Sequence, residues 1–451
     1  MRRSSNLSVE RESSTDVANV WDGANPSETP VEGENMTPEL PNSDENHHTV
    51  AGGKEGFDEG GGPRNEETES TATRLVRRST GARQRNIESS VDVNKQLPPR
   101  LFATDRYPSG SRVNSYSNLD FLLDIVEILD GSPELEWLKR SCFGRLFELP
   151  ISKSSLSGKL VHQFISRSLK TNKKHELWFV FGAYPIRFSL QEFALLTGLN
   201  CNPYPSEKEV KKMQTPEEGE EDYWFELIGP KQNYSIDEIV SMMKTDKRQP
   251  TTAEKMSGGR RLRLALIVLV EGVLTTKSSI LKARRKVVQM VKDLDTFVKY
   301  PWGRKSFEHT LEMAQVGAKM SSASVLTSKL CMSHFTTHGF TLALQLLILN
   351  TIPNLRKLLP KPKKEATFAT LTGYKLKRLK TFHNGNIVEA ERDPDLQFES
   401  ILQEGFPPEN INFSWPDEEE DDRVDYICHR IANGPKFSKD EWWGGEMTSH
   451  L

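Results

Sequence analysis

Residues 177–205, LWFVFGAYPIRFSLQEFALLTGLNCNPYP, decide how the rest of the chain is read. Residues 177–181 and 184–188 are two short apolar and aromatic runs divided by Gly182-Ala183. Such a pair predicts a β-hairpin. Pro185 has no N–H to give to a ladder, so its run belongs at a sheet edge. Ser189 and Glu192 have the spacing of a capping box: the serine oxygen accepts an early helical N–H and the glutamate reaches back to the serine N–H. Losing a cap of this kind typically costs about 1 kcal/mol. Phe188 before the cap and Phe193 at the fourth helical position form a hydrophobic staple. Gly198 supplies a left-handed stop, and Pro203 and Pro205 prevent a restart. Trp178, Gly182, Pro185, Ser189, Glu192, Phe193 and Gly198 are the structural residues of this hairpin, capped helix and stop. Nothing in the stretch titrates usefully, so it reads as a packing nucleus without a ligand.

Helical signals continue on both sides. Residues 117–129 place Leu119, Leu122, Leu123, Val126 and Leu129 on a helical period that Gly131 ends. Ser132-Pro133 combines a cap with proline at the first helical position. Residues 142–150 read as a turn with aromatic anchors. Ser157 caps a helix carrying Leu160, Val161, Phe164, Ile165 and Leu169, with His162 at the boundary of the stripe. Residues 206–222 read as a charged surface loop, after which Tyr223-Trp224-Phe225 returns to the core. Ser235 and Glu238 make a second capping box on a short helix ending near Met243, and residues 245–259 read as another loop. Residues 262–274 and 287–298 read as two helices. Tyr300-Pro301-Trp302-Gly303-Arg304 is a stiff turn with an aromatic plug, in which Pro301, Trp302 and Gly303 are structural, and Ser306 caps the helix that follows. Residues 340–352 are a buried helix. The expected fold is mainly α with a small β-hairpin (α+β).

These residues also carry a resemblance. Residues 176–205 resemble the hallmark of a plant domain-of-unknown-function family, DUF1985. Four further blocks follow the same order: SGKLVHQFISRSL at 157–169, RRLRLALIVLVEGVL at 260–274, VVQMVKDLDTFVKYPWGRKSF at 287–307 and HGFTLALQLLILNTIPNL at 338–355. The resemblance spans residues 142–359. The hairpin-then-helix block is also similar to the plant mobile domain. The resemblance implies a transposon-derived plant lineage in which many members carry a C-terminal cysteine protease of the SUMO-protease type. It implies no activity for the domain itself. The 92 residues after Leu359 hold no His, Asp, Gln, Cys constellation for such a protease.

Charge is strongly segregated beneath a formal net of −3. Residues 1–99 carry 11 Lys/Arg against 18 Asp/Glu, 100–150 carry 6 against 8, 151–380 carry 38 against 20, and 381–451 carry 5 against 17. A basic middle between acidic ends implies contact with something anionic, or docking of the tails on the core. The expected organisation is a disordered Ser/Gly-rich tail over 1–115, a helical domain over 116–360, a basic linker over 361–380, and an acidic tail with a short docking helix over 381–451. That helix has Val424, Ile427, Cys428 and Ile431 on one side and stops at Gly434. Phe437, Trp442 and Trp443 dock it. The start of the chain has no apolar signal region, and Cys142, Cys201, Cys331 and Cys428 show no paired framework. The most apolar run, 262–274, is shorter than the ~20 residues a bilayer crossing needs. An intracellular location is expected, in the nucleus if the basic cluster at 74–85 is an import signal.

Candidate chemistry is sparse. Cys331, His334 and His338 share a face if their segment is helical, but zinc needs a fourth ligand that nothing nearby supplies. Cys428 and His429 are adjacent and cannot point at each other. Ser157-Gly158-Lys159 is not a P-loop, since Lys153 stands where its first glycine belongs. No catalytic, metal or cofactor site is expected. Two basic blocks remain: Arg284, Arg285 and Lys286 beside Lys282, and residues 357–380 with Lys363, Lys364, Lys377 and Arg378, where Phe368 and Tyr374 interleave. They fit loose phosphate contact with base stacking, a nuclear signal or a solvated linker equally. The function expected is non-catalytic docking of an unidentified protein partner. The alternatives are nucleic-acid binding through 260–380, or an accessory fragment of a SUMO-type protease whose catalytic domain is absent.

Overall fold

The hairpin and capped helix form where the sequence places them in the computed structural model, which describes residues 96–250, 255–314, 323–362, 364–371, 382–402 and 412–446. All of these lie in one unit, Ile87–Leu451. The strands and helices run in the order β1 Arg112–Ser115, α1 Asp120–Leu129, α2 Pro133–Arg140, α3 Gly144–Phe147, α4 Ile151–Ser154, α5 Gly158–Ile165, β2 Leu177–Phe181, β3 Tyr184–Phe188 and α6 Leu190–Thr197. There follow α7 Glu207–Gln214, α8 Tyr223–Leu227, α9 Ile236–Lys247, α10 Gly258–Leu269, α11 Arg285–Met290, α12 Leu294–Lys299 and α13 Trp302–Leu311. The chain closes with α14 Ala323–Cys331, β4 His334–Thr337, α15 Leu342–Thr351, α16 Pro353–Arg356, α17 Asn384–Arg392 and α18 Asp422–Asn433. The fold is mainly α.

Strands β2 and β3 pair antiparallel, with Val180 opposite Pro185. The other edge of β2 takes Val180 N–H to Arg167 O and gives Trp178 O to Leu169 N–H, so β3 is the outer strand, as its proline requires. Every residue of β2 is buried. Leu177, Phe179 and Phe181 enter the main core, while Trp178 and Val180 enter a smaller cluster with Leu97, Leu169, Val424, Ile427 and Trp442. This two-sided burial is why the run reads as continuously apolar rather than alternating. The capping box of Ser189 and Glu192 is present, Phe188 and Phe193 meet edge to face at 6.4 Å, and Gly198 has φ +66°. The caps at Ser132, Ser157 and Ser235 also form.

Several expectations are corrected. Folded structure starts before Ser117: Leu97, Leu101 and Phe102 are buried, and β1 pairs in parallel with β4. A lone strand whose partner lies more than two hundred residues away leaves no local signal. Residues 206–222 are not all loop, because Ser206 and Glu209 box α7; that helix buries none of its residues and so shows no apolar stripe. Residues 287–298 break in two at Asp293, whose carboxylate caps α12 through the Asp295 and Thr296 N–H groups. The apolar run after α10 is π-helical over Val270–Leu274, where Gly272 packs against the Phe121 ring. Ser306 is no cap: α13 already begins at Trp302, and the Ser306 hydroxyl donates to Leu274 O. His162 is buried in the core, with Nε2 2.9 Å from Leu330 O. Cys428 and Ile431 are exposed, so α18 docks through Val424 and Ile427, with Tyr426 packed beside them and Arg430 buried. The expected tail over 1–115 falls outside the described residues as far as position 95.

The C-terminal elements are tied to the centre by one buried ion pair. Arg167 donates from Nη2 to Glu391 Oε2 at 2.6 Å and from Nε to both carboxylate oxygens, and its Nη1 donates to Gln163 O and Oε1. Its guanidinium lies 3.9 Å from the Tyr107 ring centroid. Glu391 Oε1 also accepts the Gly182 N–H at 3.1 Å. Removing one partner of such a pair strands a charge in a low-dielectric interior, whereas replacing both with apolar groups is far milder. Glu391→Leu is therefore expected to cost about 3–5 kcal/mol in urea unfolding, and Arg167→Met with Glu391→Leu together clearly less than the sum of the two single changes.

Three histidines resist protonation in the fold. Burial lowers the pKa of His162 and of His338, and burial with Lys277, Lys305 and Arg284 nearby lowers His309 to about 3. Each takes up a proton less readily in the fold than in the unfolded chain, where it titrates near 6.5, so stability falls as pH drops through that value. Glu271 opposes them with one proton: burial raises its carboxyl to about 7 despite Arg284. Unfolding free energy is expected to be lower at pH 5.5 than at pH 7.5, and His309→Gln is expected to flatten the difference.

Candidate functional site

The turn of the hairpin opens onto a groove. Gly182 turns the chain at φ +63°, and a Cβ there would come within 2.8 Å of Leu396 Cδ2. Its N–H is held by Glu391 at the end of α17, and the Ala183 carbonyl accepts from Trp442 Nε1 at 2.9 Å. The hairpin turn thus lies between residues 391–399 and the chain leaving α18. Between these walls is a groove of about 700 Å³, lined by Tyr184, Leu396, Phe398, Ile431, Phe437 and polar neighbours. Tyr184 stacks on Phe398 with centroids 4.3 Å apart, and Ile431 is 46% exposed.

The groove's charges are unequal in their freedom. Of its acids, Asp393 accepts from Asn354 Nδ2 at 2.7 Å and Glu399 is bidentate with Arg356 at 3.1 Å. Arg430 faces the Phe437 ring and pairs with Glu441 at 2.8 Å. Arg392 meets Asp105 through an exposed bridge, which is weak, and Lys436 and Lys439 are exposed on the rim. The arrangement presents aromatic and aliphatic surface beneath cations whose carboxylate neighbours are already engaged. It holds no nucleophile beside a base and offers no metal ligand set.

The ten structural residues named from the sequence do not form one site. Trp178 donates from Nε1 to Glu176, and Ser189, Glu192, Phe193 and Gly198 shape α6. Pro301 leads into α13, Trp302 Nε1 donates to Phe297 O at 2.8 Å, and Gly303 packs so closely on residues 199–201 that a Cβ would stand 2.5 Å from Cys201 Sγ. Gly182 alone reaches the groove, which Pro185 does not line. The groove's other walls come from residues 391–399 and 430–439, where the sequence shows only acidic linker and short helix.

The basic residues are scattered and partly engaged. Arg284 grips both oxygens of Glu271 at 2.8 Å and donates to Thr275. Arg285 pairs with Asp222 and Gln232 and lies over the Trp224 ring at 4.9 Å. Lys286 and Lys364 are exposed, whereas Phe368 is fully buried and cannot stack on a base. Lys363, Lys377, Arg378 and Tyr374 lie outside the described residues. Cys331, His334 and His338 do not share a helix face: α14 ends at Cys331 and His334 begins β4. Among the described residues no cluster of three metal-ligating side chains occurs. Among them, no helix is long and apolar enough to cross a membrane.

Comparison with known proteins adds one finding. Residues 165–313 match the family model for DUF1985, Domain of unknown function. No curated protein and no solved structure matches the chain. The DUF1985 match takes in the hairpin, α6 and the helices as far as α13, but not Glu391, β1 or α15. An excised 165–313 fragment therefore lacks the partner of Arg167 and much of the apolar surface that covers α6. It is expected to show weak, non-cooperative melting by circular dichroism where the full chain melts cooperatively.

Proposed function

We propose that the folded region is a non-catalytic docking domain that takes an acidic segment of a partner protein, bearing an aromatic or aliphatic anchor, in the groove beside the hairpin turn. The observation that carries this reading is the pairing of exposed Tyr184 and Ile431, and of half-buried Phe398 stacked on Tyr184, with rim cations whose acidic neighbours are engaged elsewhere. Aromatic anchors in pockets dominate protein recognition, and complementary rim charge sets orientation and on-rate. The transposon-derived plant lineage and the accessory role beside a SUMO-type protease rest on the family resemblance, and nuclear location rests on the basic cluster at 74–85. These are carried as parts of the same proposal.

Fluorescence polarisation of the full chain with 12-residue peptides tests it. A peptide with a central Trp flanked by Asp and Glu is expected to bind, and its Lys-flanked counterpart to bind at least ~10-fold more weakly, a difference of about 1.4 kcal/mol. Tyr184→Ala and Lys436→Glu are each expected to weaken the acidic peptide. Equal binding of both peptides, or indifference to Tyr184→Ala, removes the reading.

The second reading, nucleic-acid binding, draws on exposed Lys282, Lys286 and Lys364. Counterion release makes such binding fall steeply with salt. With Arg284 and Arg285 engaged internally, the affinity for single-stranded DNA is expected to be weak, with a shallow slope against salt. A steep slope that Lys286→Gln reduces favours this second reading instead.

A further inference from the structure

A second cavity, of about 500 Å³, lies on another part of the molecule. Its floor is Leu149, Leu195, Leu196, Leu346 and Ile401, contributed by the chain before α4, by α6, by α15 and by the segment after Glu399. Three cations enter its wall: Arg145 from α3, Lys153 from α4 and Arg356 from α16. Glu148 and Glu399 are the acids, and Glu399 is already bidentate with Arg356. Glu399 also lines the docking groove, so it stands on the ridge between the two.

The cations are held in place by the fold. The Arg145 stem packs on Gly198, whose missing side chain makes room: a Cβ there would meet Arg145 Cδ at 2.6 Å. Lys153 is fixed through its backbone, since its carbonyl accepts from Gln345 Nε2 at 2.8 Å. The half-buried Lys153 ammonium donates to Asn350 Oδ1 at 3.0 Å, a neutral partner. Burial first, and the positive charge of Arg356 second, lower its pKa. Glu365 and Glu399 oppose that lowering only through space, so a half-buried ammonium hydrogen-bonded to a neutral amide still gains from an anion that comes within reach. A cavity of this size, with an apolar floor and a few convergent polar groups, has the make-up of a small-molecule site.

We propose that this cavity binds a small organic anion, with a phosphate or carboxylate head held by Arg145 and Lys153 and an apolar body seated on Leu195, Leu196 and Leu346. The head replaces water around Lys153, and the body excludes it from the leucines. Neither part alone accounts for the lining: inorganic phosphate leaves the floor wet, and a neutral aromatic leaves the ammonium with only its neutral Asn350 acceptor.

Isothermal titration calorimetry of the full chain at low salt tests this with four probes: phenyl phosphate, phenylacetate, phenol and inorganic phosphate. Phenyl phosphate or phenylacetate is expected to bind at least ~10-fold more tightly than phenol or inorganic phosphate. The stronger of the two identifies the head group. Lys153→Gln is expected to abolish that preference, and Arg145→Gln, at an exposed position, to weaken it without affecting the melt. Leu195→Trp fills the floor from a half-buried position and is expected to lose the organic anion while leaving inorganic phosphate unchanged. Lys436→Glu, in the docking groove, is expected to leave all four titrations unchanged. Equal affinity for all four probes, a preference that survives Lys153→Gln, or one that Arg145→Gln leaves undiminished, overturns the proposal. Failure of the peptide experiment at the groove leaves these titrations standing, because the two readouts use different residues.

Discussion

The buried Arg167–Glu391 pair is the constraint on which the arrangement depends. It joins the turn after α5 to α17, orients the hairpin turn through the Gly182 N–H, and places Tyr107 over the guanidinium. Desolvating two charges is costly, and the interior tolerates it here because the guanidinium is satisfied on every nitrogen. Elements separated by more than two hundred residues are thereby held in one register. The docking groove inherits its geometry from this pair, since the hairpin turn and the end of α17 form adjoining walls of it.

The local architecture around the hairpin was legible in the sequence because short-range signals decide it. Ser189 and Glu192, Phe188 and Phe193, and the glycine at 198 act within four or five residues of one another. The same logic found the caps at Ser132, Ser157 and Ser235. It missed what is built from distant pieces. Strand β1 carries no apolar stripe and is specified by β4; α7 is polar on all sides; and the helix read over 287–298 is interrupted by a cap that an apolar period does not reveal. The groove was invisible for the same reason. Its walls come from residues 182–184, 391–399 and 430–439, and only folding brings them together. Arg284 and Arg285 show the converse: their charge was plain in the sequence, but their partners Glu271 and Asp222 were not.

The segregated charge has a structural resolution. The acidic C-terminal segment returns to the basic middle and makes specific contacts there. Asp417 meets His175 at 2.9 Å, Glu419 meets Lys174 at 2.8 Å, and Asp421 accepts the Asn172 N–H at 2.6 Å. Trp415 stacks on His175 at 4.0 Å and lies beneath Arg304, which donates to the carbonyls of Asn412 and Ser414. A segment whose composition suggests a solvated tail is instead a strap over the loop that follows α5. Opposite charges spread along a chain can specify long-range docking as well as keep it in solution.

The two extremities of the described fold lie side by side. Arg100 N–H donates to Trp443 O, Glu446 N–H to Leu101 O and Ala103 N–H to Glu446 O, and Phe102 bridges Glu446 in parallel. Tension applied through both extremities would draw these parallel segments in opposite directions along their length. The three hydrogen bonds would then be sheared together rather than opened one by one. A fold clasped in this way resists extension at its margins before its helices feel any strain.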